Sequence, residues 1–378
     1  MLLRSWATPV SARFYLPELD VIRFVAFFLV FLSHVVPGEP EFYQRAGIAQ
    51  PAATAIVSLA AGGAFGVDLF FALSSFLITT LLLRERQATG NIDVAAFYWR
   101  RILRIWPLYF TFLLVLAPGI EALLPGVGDT LSTRDLVAFM LFVGNWAFVL
   151  WGYARGIAGP LWSVSVEEQF YLLWPLLLRG FTKRLTGALV TIWIVSMTTR
   201  AALVLAGAAH PQIWCNTVAH LDPMVCGGLV AVAFNRQEIT LPRWSRVGLL
   251  CCGIGIFALA GRFGDFAGSR SLVTYPVVAV GSCMFILAGL RPRIGLAAGT
   301  LVRPFVYLGK ISYGLYVFHF AFILLLGVGA AHTPGRRALL ICFAFLCTVA
   351  AAATSYHFLE RPFLGLKKRF SYVASRPV

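Results

Sequence analysis

The stretch ELDVIRFVAFFLVFLSH, residues 18–34, combines an apolar run with ionisable side chains at both of its ends. Similar apolar runs recur along the whole chain, and a run of about 18 or more residues is long enough to cross a bilayer as a helix. The sequence is 59% hydrophobic and 12% charged, whereas about 25% of the residues in soluble proteins are charged. These features predict an all-α polytopic membrane protein and exclude a soluble enzyme, a DNA-binding domain or a fibrous protein.

Eleven apolar segments alternate with clusters of Lys and Arg. The segments are residues 19–37, 63–83, 105–124, 136–152, 161–178, 185–207, 221–235, 246–261, 271–290, 305–330 and 337–358, and the clusters lie at 84–104, 179–184, 236–246, 291–303 and 361–376. Basic residues concentrate in cytoplasmic loops, so an even number of crossings should separate consecutive clusters. Because three segments lie between Arg104 and Arg179, one of them is expected not to cross.

Segment 136–152 is expected to be re-entrant, because glycine, proline and aromatic residues flank it. Irregular backbone at membrane depth is tolerated where it lines a cavity or is buried in protein. The remaining segments predict about ten transmembrane helices with both termini in the cytoplasm, since about 21 Lys and Arg then face inward and about 7 outward. Residues 1–378 are interpreted as a single membrane domain with no fused soluble domain.

The net charge of +15 is explained by basic cytoplasmic loops and by contact with anionic lipid headgroups. No nucleic-acid-binding motif accompanies this charge, so nucleic acid is not expected as a partner. The seven cysteines are scattered without the spacing of metal ligands, and we interpret them as small buried apolar residues. The stretch before residue 17 lacks the features of a signal peptide, and the first span is expected to direct insertion.

Arg23 and His34 in the first segment are eleven residues apart, which places them on one helix face about 16 Å apart along the axis. An ionisable side chain at the centre of a membrane helix costs about 2.5–3.5 kcal/mol, which favours a functional role. A substrate threaded between a cation and an imidazole would use both groups. The alternative is that Asp20 pairs with Arg23 at i,i+3 and that His34 is an interfacial residue.

Three of the carboxylates in the predicted spans are Asp68, Glu167 and Glu168. Asp68 can orient a histidine and stabilise its protonated form, or it can be a favourable charge at a helix N-terminus. Glu167 and Glu168 are adjacent and point about 100° apart, so both cannot face one site. A carboxylate in apolar surroundings suits general acid–base catalysis, whereas a helix-start capping arrangement with Ser165 is the structural alternative.

Arg101 and Arg104 are one helical turn apart and have the geometry to clamp a phosphate or pyrophosphate. The alternative is that both side chains extend to anionic lipid at the membrane surface. His319 lies at mid-membrane depth, where it serves a substrate or bonds the hydroxyl of Ser312 or Tyr316 for purely structural reasons.

Taken together, these stretches resemble the acyltransferase-3 family of integral membrane proteins. The matching parts are Arg23 and His34 at the family's spacing, residues 66–74, residues 97–109 with their Arg-x-x-Arg pattern, residues 161–171, residues 311–319 and Glu360-Arg361-Pro362. They follow the family's order along nearly the whole chain. Ser75 stands where the family usually has glycine, which changes close packing and does not touch the expected chemistry.

The resemblance implies a membrane-bound O-acyltransferase that moves an acyl group, most often acetyl, from cytoplasmic acyl-CoA to a hydroxyl of a sugar or glycan. In bacteria the acceptor is commonly a lipopolysaccharide or exopolysaccharide unit on the outer side of the inner membrane. The implied roles are as follows: His34 as general base or acyl carrier supported by Glu168 or Asp68; Arg23, Arg101, Arg104 and Tyr109 as acyl-CoA ligands; and Asp20, Glu167, Tyr313 and His319 as acceptor contacts. A thioester is already activated, so no metal is expected.

A transporter or glycan flippase is the competing hypothesis, because intramembrane His, Asp and Glu residues also form proton relays. Such proteins are commonly built from paired repeats with corresponding interrupted helices. The sequence shows no such pair, which favours the enzyme.

Overall fold

The computed structural model describes residues 14–123, 131–154, 156–237, 239–290, 299–331 and 333–373. All regular elements within these ranges are helical, as the apolar runs predict. Some predicted features lie outside the described residues: the stretch before residue 14, and the basic residues Arg155, Arg291, Arg293 and Arg376 together with the side chain of Lys183.

The helices follow one another through short turns and loops. Within the described ranges they are α1 (Pro17–Val35), α2 (Pro40–Gln44), α3 (Gln50–Gly62), α4 (Gly66–Thr89), α5 (Val94–Thr111), α6 (Ala117–Leu123), α7 (Thr133–Met140), α8 (Gly144–Trp151), α9 (Trp162–Phe181), α10 (Leu185–Leu205), α11 (Asp222–Arg236), α12 (Arg243–Phe263), α13 (Ser271–Gly289), α14 (Arg303–Lys310), α15 (Ser312–Leu325), α16 (Pro334–Ser355) and α17 (Arg361–Lys367). Single π-helical turns at Phe112–Leu116 and Tyr356–Glu360 extend α5 and α16.

Six helical stretches of the described chain are long and apolar enough to cross a membrane. They are Gln50–Thr89, Val94–Ala122, Leu185–Leu205, Arg243–Phe263, Ser271–Gly289 and Pro334–Phe370, and α14 with α15 is a seventh candidate bent by 76°. The count of ten spans is therefore not confirmed by length and composition. The shortfall has a physical reason, since α1 and α9 each carry three charged residues and α11 has only 15 residues.

Helix α4 lies at the centre of the bundle, where it packs against α1, α9, α11 and α13. At its crossing with α11, a Cβ atom at Gly227 would lie 2.2 Å from the carbonyl oxygen of Ala72, so only glycine permits this approach. In an 18-residue apolar stretch of Gln50–Thr89 72% of the residues are buried, against 11% in such a stretch of Arg243–Phe263. The central helix is thus enclosed by protein, whereas α12 presents an apolar surface of the kind that lipid covers.

The segment 136–152, which we expected to be re-entrant, is divided between α7 and α8. The break includes Phe142, which has a φ of 55° and lies in the left-handed region. Gln169 of α9 donates from Nε2 to the Phe142 carbonyl and to Asn145 Oδ1, both at 2.8 Å. The Asn145 amide in turn donates to the Cys215 carbonyl at 2.9 Å. The irregular backbone is therefore satisfied by protein groups, which is the condition for its tolerance at membrane depth.

A second break, between α14 and α15, divides the segment that the sequence predicts as one span over residues 305–330. The two helices meet at an angle of 76° on either side of Ile311. At Gly309 a Cβ atom would lie 1.8 Å from the carbonyl oxygen of Asp20, so α14 approaches the backbone of α1. This close approach accompanies the placement of Lys310 in the same cavity as Arg23.

Candidate functional site

Two adjoining cavities lie along one face of α1. The first, which we call the basic cavity, has a volume of about 410 Å³ and is lined by Arg23. The second, which we call the histidine cavity, has a volume of about 710 Å³ and is lined by His34. Among the described residues, Val67 of α4 and Tyr316 of α15 line both cavities. The face of α1 predicted from helix geometry therefore borders two cavities that meet at a shared wall.

The basic cavity carries an excess of positive charge. Its charged lining residues are Arg23, Arg101, Arg104, Lys310, Lys367 and Lys368 on the basic side and Asp20, Glu167 and Glu360 on the acidic side. Six cations against three carboxylates leave a formal charge of +3, and the tyrosine hydroxyls of the wall add hydrogen-bonding groups. Such a cavity suits a ligand with several negative charges, because guanidinium groups bind phosphate in a bidentate manner.

Arg23 is held by Asp20, as the alternative interpretation of the sequence expected. Arg23 Nη1 donates to Asp20 Oδ1 at 2.5 Å, and the Tyr15 hydroxyl donates to Asp20 Oδ2 at 2.9 Å. All three side chains line the basic cavity. Arg23 can therefore pair with Asp20 and still bind a ligand in the cavity, because its other N–H groups remain able to donate.

Arg101 is buried, with 9% of its surface exposed, and does not extend to the membrane surface. Its guanidinium carbon lies 5.4 Å from the ring centre of Phe97 and 5.5 Å from that of Tyr171. Its Nε atom is buried without a hydrogen-bond partner among the described residues. Arg104 lines the same cavity one turn further along α5, so the predicted pair of arginines is brought together on the cavity side.

The neighbouring Arg100 has a structural role. Its Nη2 donates to Glu85 Oε2 at 2.9 Å, and its Nη1 donates to the Phe370 carbonyl at 2.6 Å. Successive arginines of α5 therefore differ in function, since one joins α5 to α4 and to the C-terminal segment while Arg101 faces the basic cavity.

The two adjacent glutamates point in different directions. The implied roles placed Glu168 beside His34, but of the two only Glu167 is among the described residues that line a cavity. Glu167 lines the basic cavity, and its Oε1 accepts a hydrogen bond from Ser74 Oγ at 2.6 Å. Glu168 instead accepts from Trp106 Nε1 at 3.2 Å and is not among the described residues that line either cavity. The angle of about 100° between neighbours separates the two but does not say which one faces the cavity.

Of the two tyrosines expected in the site, only Tyr313 is among the described residues that line a cavity. Tyr313 lines the basic cavity and donates to the Ile105 carbonyl at 3.1 Å. Tyr109 is fully buried, donates to the Phe139 carbonyl at 2.9 Å and lies outside the described linings of both cavities. Its hydroxyl fixes α7 against α5, so its expected contact with acyl-CoA is not what this geometry provides.

His34 is exposed to the histidine cavity, and its tautomer follows from its hydrogen bond. Its Nδ1 lies 2.9 Å from the Val30 carbonyl oxygen, which can only accept. Nδ1 therefore carries the proton, and Nε2 of the neutral ring keeps a lone pair.

His319 is fully buried, and its ring centre lies 5.2 Å from that of His34. It donates from Nδ1 to the backbone carbonyl of Tyr316 at 2.6 Å, and not to a hydroxyl.

The rest of the histidine cavity is largely aromatic. Its wall includes Tyr153, Trp162, His210, Trp214, Phe266 and Phe320. The Tyr153 hydroxyl lies 2.9 Å from His210 Nε2. Burial lowers the pKa of His210, and the Asp265 carboxylate partly offsets this shift. His210 is therefore mainly neutral at pH 7, and its Nε2 can accept the hydrogen bond from Tyr153.

Asp68 does not orient His34, because its carboxylate is paired with His220. Asp68 Oδ1 lies 2.9 Å from His220 Nε2, and His220 Nδ1 lies 2.8 Å from the Trp214 carbonyl oxygen. Both side chains are fully buried. Both ring nitrogens of His220 therefore face oxygen atoms, which holds the ring between α4 and the backbone at Trp214. Asp68 thus supports the loop that carries Trp214 into the wall of the histidine cavity.

A second buried ion pair, Arg200 with Asp222, lies beside this loop and was not assigned from the sequence. Arg200 has no exposed surface, donates to Asp222 and also donates from Nε to the Ala219 carbonyl at 3.0 Å. Its guanidinium carbon lies 4.4 Å from the ring centre of Tyr275. The sequence showed an arginine inside one apolar segment and Asp222 near the boundary of another, but no local pattern paired the two.

A family model described as an acyltransferase domain matches residues 16–357 of the chain. The match covers nearly the whole chain and includes the helices that line the two cavities except α17, which contributes Leu364 and Lys367 to the basic cavity. The molecule is thus a membrane protein with an acyltransferase domain. The chain belongs to the acyltransferase-3 family, as the resemblance of its motifs predicted.

Curated relatives of this chain are O-acetyltransferases. The O-acetyltransferase OatA of Staphylococcus aureus is 27% identical over 343 residues, which cover 84% of this chain and 55% of the relative. The peptidoglycan O-acetyltransferase OatA of Listeria monocytogenes is 26% identical over 375 residues, which cover 93% of this chain and 56% of the relative. The chain spans about half the length of these relatives. No solved structure matches the chain.

Proposed function

We propose that the chain transfers an acyl group, most often acetyl, from acyl-CoA to a hydroxyl of a sugar or glycan on the other side of the membrane. The observation that carries this proposal is the placement of a cationic cavity and an imidazole-bearing cavity side by side on α1. The names of the relatives support O-acetyl transfer. A peptidoglycan acceptor joins lipopolysaccharide and exopolysaccharide as a candidate, because the Listeria relative is named for it.

The basic cavity is proposed as the binding site of acyl-CoA. CoA carries a pyrophosphate and a ribose phosphate, and these anions match a cavity with a formal charge of +3. Arg23, Arg101 and Arg104 are the proposed phosphate ligands, because guanidinium groups offer paired N–H donors. The buried Nε of Arg101, which has no hydrogen-bond partner among the described residues, gives this assignment a specific donor.

His34 is proposed to move the proton of the acceptor hydroxyl. The hydroxyl oxygen attacks the carbonyl carbon of the thioester, so that a C–O bond forms and the C–S bond breaks. Nε2 of His34 takes the hydroxyl proton and returns it to the departing CoA thiolate. The same lone pair would attack the thioester if His34 carried the acyl group as an intermediate. In both cases the hydrogen bond from Nδ1 to Val30 fixes the required tautomer.

The proposed topology has ten crossings, with the basic cavity open to the cytoplasm of a bacterium. Helices α1, α9 and α11 then cross in spite of their charges or short length, because neighbouring helices enclose their polar residues. Residues 136–152 remain the proposed re-entrant segment. The whole chain forms one membrane domain in the inner membrane, with both termini on the donor side.

The direct test uses purified protein in lipid vesicles with acetyl-CoA that is labelled in the acetyl group. We expect the label to leave CoA for an N-acetylglucosamine oligosaccharide, or for water when no acceptor is present, while free CoA thiol accumulates in equal amount. A transporter would instead move glycan in a manner that depends on a gradient and not on CoA. CoA-independent movement without loss of the thioester would overturn the proposal.

A further inference from the structure

We infer that Tyr316 and Val67 form a wall that both seals the two cavities from each other and sets the length of acyl chain that reaches His34. The inference rests on the proposed function for its second part, whereas the seal concerns only the shape of the protein. In the described structure these two residues are the shared lining of the basic and histidine cavities.

Hydrogen bonds and packing hold Tyr316 in this position. Its hydroxyl lies 2.7 Å from Ser163 Oγ and donates to the Pro160 carbonyl at 3.1 Å. Its ring meets Phe70 edge-on, with 5.8 Å between the ring centres. Tyr316 is 7% exposed and Val67 is 5% exposed, although each borders two cavities. The side chains are therefore packed as a wall, and α9 and the turn before it fix the phenol.

The wall can open by rotation of the Tyr316 ring, because among the described residues only hydrogen bonds hold its hydroxyl. The partner groups, Ser163 Oγ and the Pro160 carbonyl, belong to a short turn and the start of α9, while Tyr316 belongs to the bent helix pair α14 and α15. A ring rotation of Tyr316 breaks two hydrogen bonds and no ion pair. Neutral hydrogen bonds are weaker than bonds between charged groups, so this rotation costs less than breaking an ion pair would.

The position of the wall assigns it a role in selecting the acyl chain. Phosphates held near Arg23 and a reacting carbonyl near His34 place the donor on both sides of Tyr316 and Val67. An opening made by one ring rotation passes a methyl group more readily than a propyl group. In apolar sites one extra methylene changes specificity by about 10- to 200-fold. We therefore assign preference for acetyl over longer acyl groups to this wall.

The wall also separates two spaces within the bundle that are each large enough to hold many water molecules. If each cavity is filled by water, removal of the wall leaves a polar path along the face of α1. Tyr316 and Val67 then prevent protons and small ions from crossing when no donor is bound. This consequence can be measured without any acyl transfer.

The first experiment compares acetyl-CoA with butyryl-CoA by release of free CoA thiol. The wild type should prefer acetyl by at least about tenfold in kcat/KM, and Tyr316→Ala should lower this preference by about tenfold or more. Tyr98→Ala is the matched control for Tyr316→Ala, because the Tyr98 hydroxyl donates to the Leu172 carbonyl at 2.7 Å outside both cavities. An unchanged preference in Tyr316→Ala and in Val67→Ala would overturn the assignment of specificity.

The second experiment measures proton leak in vesicles that contain the same variants without CoA. Tyr316→Ala should raise the leak above that of the wild type and of Tyr98→Ala, and Val67→Ala serves if Tyr316→Ala does not fold. A leak equal to that of the wild type in the folded variants would overturn the seal. If no thioester is consumed by any variant, the proposed function fails, while the leak assay still decides whether the wall exists.

Discussion

The two cavities along α1 differ in the chemistry of their walls. The basic cavity has six fixed cations and three carboxylates, whereas the described part of the histidine cavity has aromatic rings and the imidazoles of His34 and His210. Arginine and lysine hold their charge through the neutral pH range, while imidazole exchanges a proton within it. The comparison indicates that one cavity binds an anionic donor and the other moves a proton.

The largest expected effect comes from removing the proton acceptor of the histidine cavity. His34→Gln keeps an amide that can donate to the Val30 carbonyl but cannot take a proton from a hydroxyl. We expect kcat to fall by about 10²- to 10⁴-fold, the usual contribution of a general base. Acetyl transfer by purified protein, with thermal unfolding as the folding control, checks this. Turnover within a few-fold of the wild type would remove His34 from its proposed role.

The second largest effect is on stability, because Asp68 supports the wall of the histidine cavity and takes no part in the proposed chemistry. Asp68→Leu leaves His220 buried without its carboxylate, and loss of one partner of a buried pair costs about 3–5 kcal/mol in the free energy of unfolding. Asp68→Asn should recover part of this loss, because its amide can donate to a neutral imidazole. Thermal unfolding in detergent measures both variants. If Asp68→Leu unfolds at the temperature of the wild type, the pair does not support the loop.

A third comparison uses the adjacent arginines of α5. Arg101→Gln should raise the KM for acyl-CoA by about 10- to 100-fold, since a hydrogen bond to a charged group is worth about 1.5–3 kcal/mol. Arg100→Gln should leave this KM unchanged and lower the unfolding temperature, because Arg100 pairs with Glu85. Equal effects of the two substitutions on KM would contradict the division between a binding and a structural arginine.

The smallest effect concerns acid sensitivity at the aromatic wall. Burial lowers the pKa of His210, so the folded state binds its proton less readily than the unfolded state. Its contribution to stability is complete above the unfolded pKa of about 6.5 and is lost as the pH falls from there toward the folded pKa. Unfolding temperatures at pH 7.5 and 5.5 should differ less for His210→Gln than for the wild type. An identical or larger difference would contradict the expectation.

Helix geometry was sufficient to place Arg23 and His34 on one face of α1, because their relation depends on 3.6 residues per turn alone. The break in segment 136–152 was also expected, since glycine and aromatic residues surround it. Both inferences concern neighbours along the chain. Local sequence carries the information that such relations require.

The residues whose positions were predicted wrongly are all placed by contacts between distant parts of the chain. Asp68 and His220 are 152 positions apart, and no local pattern pairs them. Helix periodicity separates Glu167 from Glu168, but the packing of α9 decides that Glu167 faces the cavity. The bend between α14 and α15 likewise follows the approach of Gly309 to α1, which the apolar pattern of that segment does not encode.

The most direct test of the central claim is the sidedness of acetyl transfer in sealed vesicles. Acetyl-CoA labelled in the acetyl group is enclosed in the lumen, and an N-acetylglucosamine oligosaccharide is supplied outside to protein oriented with its basic cavity inward. We predict that the label appears on the external sugar while CoA stays inside, and that His34→Gln abolishes this transfer. Labelled sugar outside at an undiminished rate with His34→Gln, or only after CoA itself has escaped, would contradict the account.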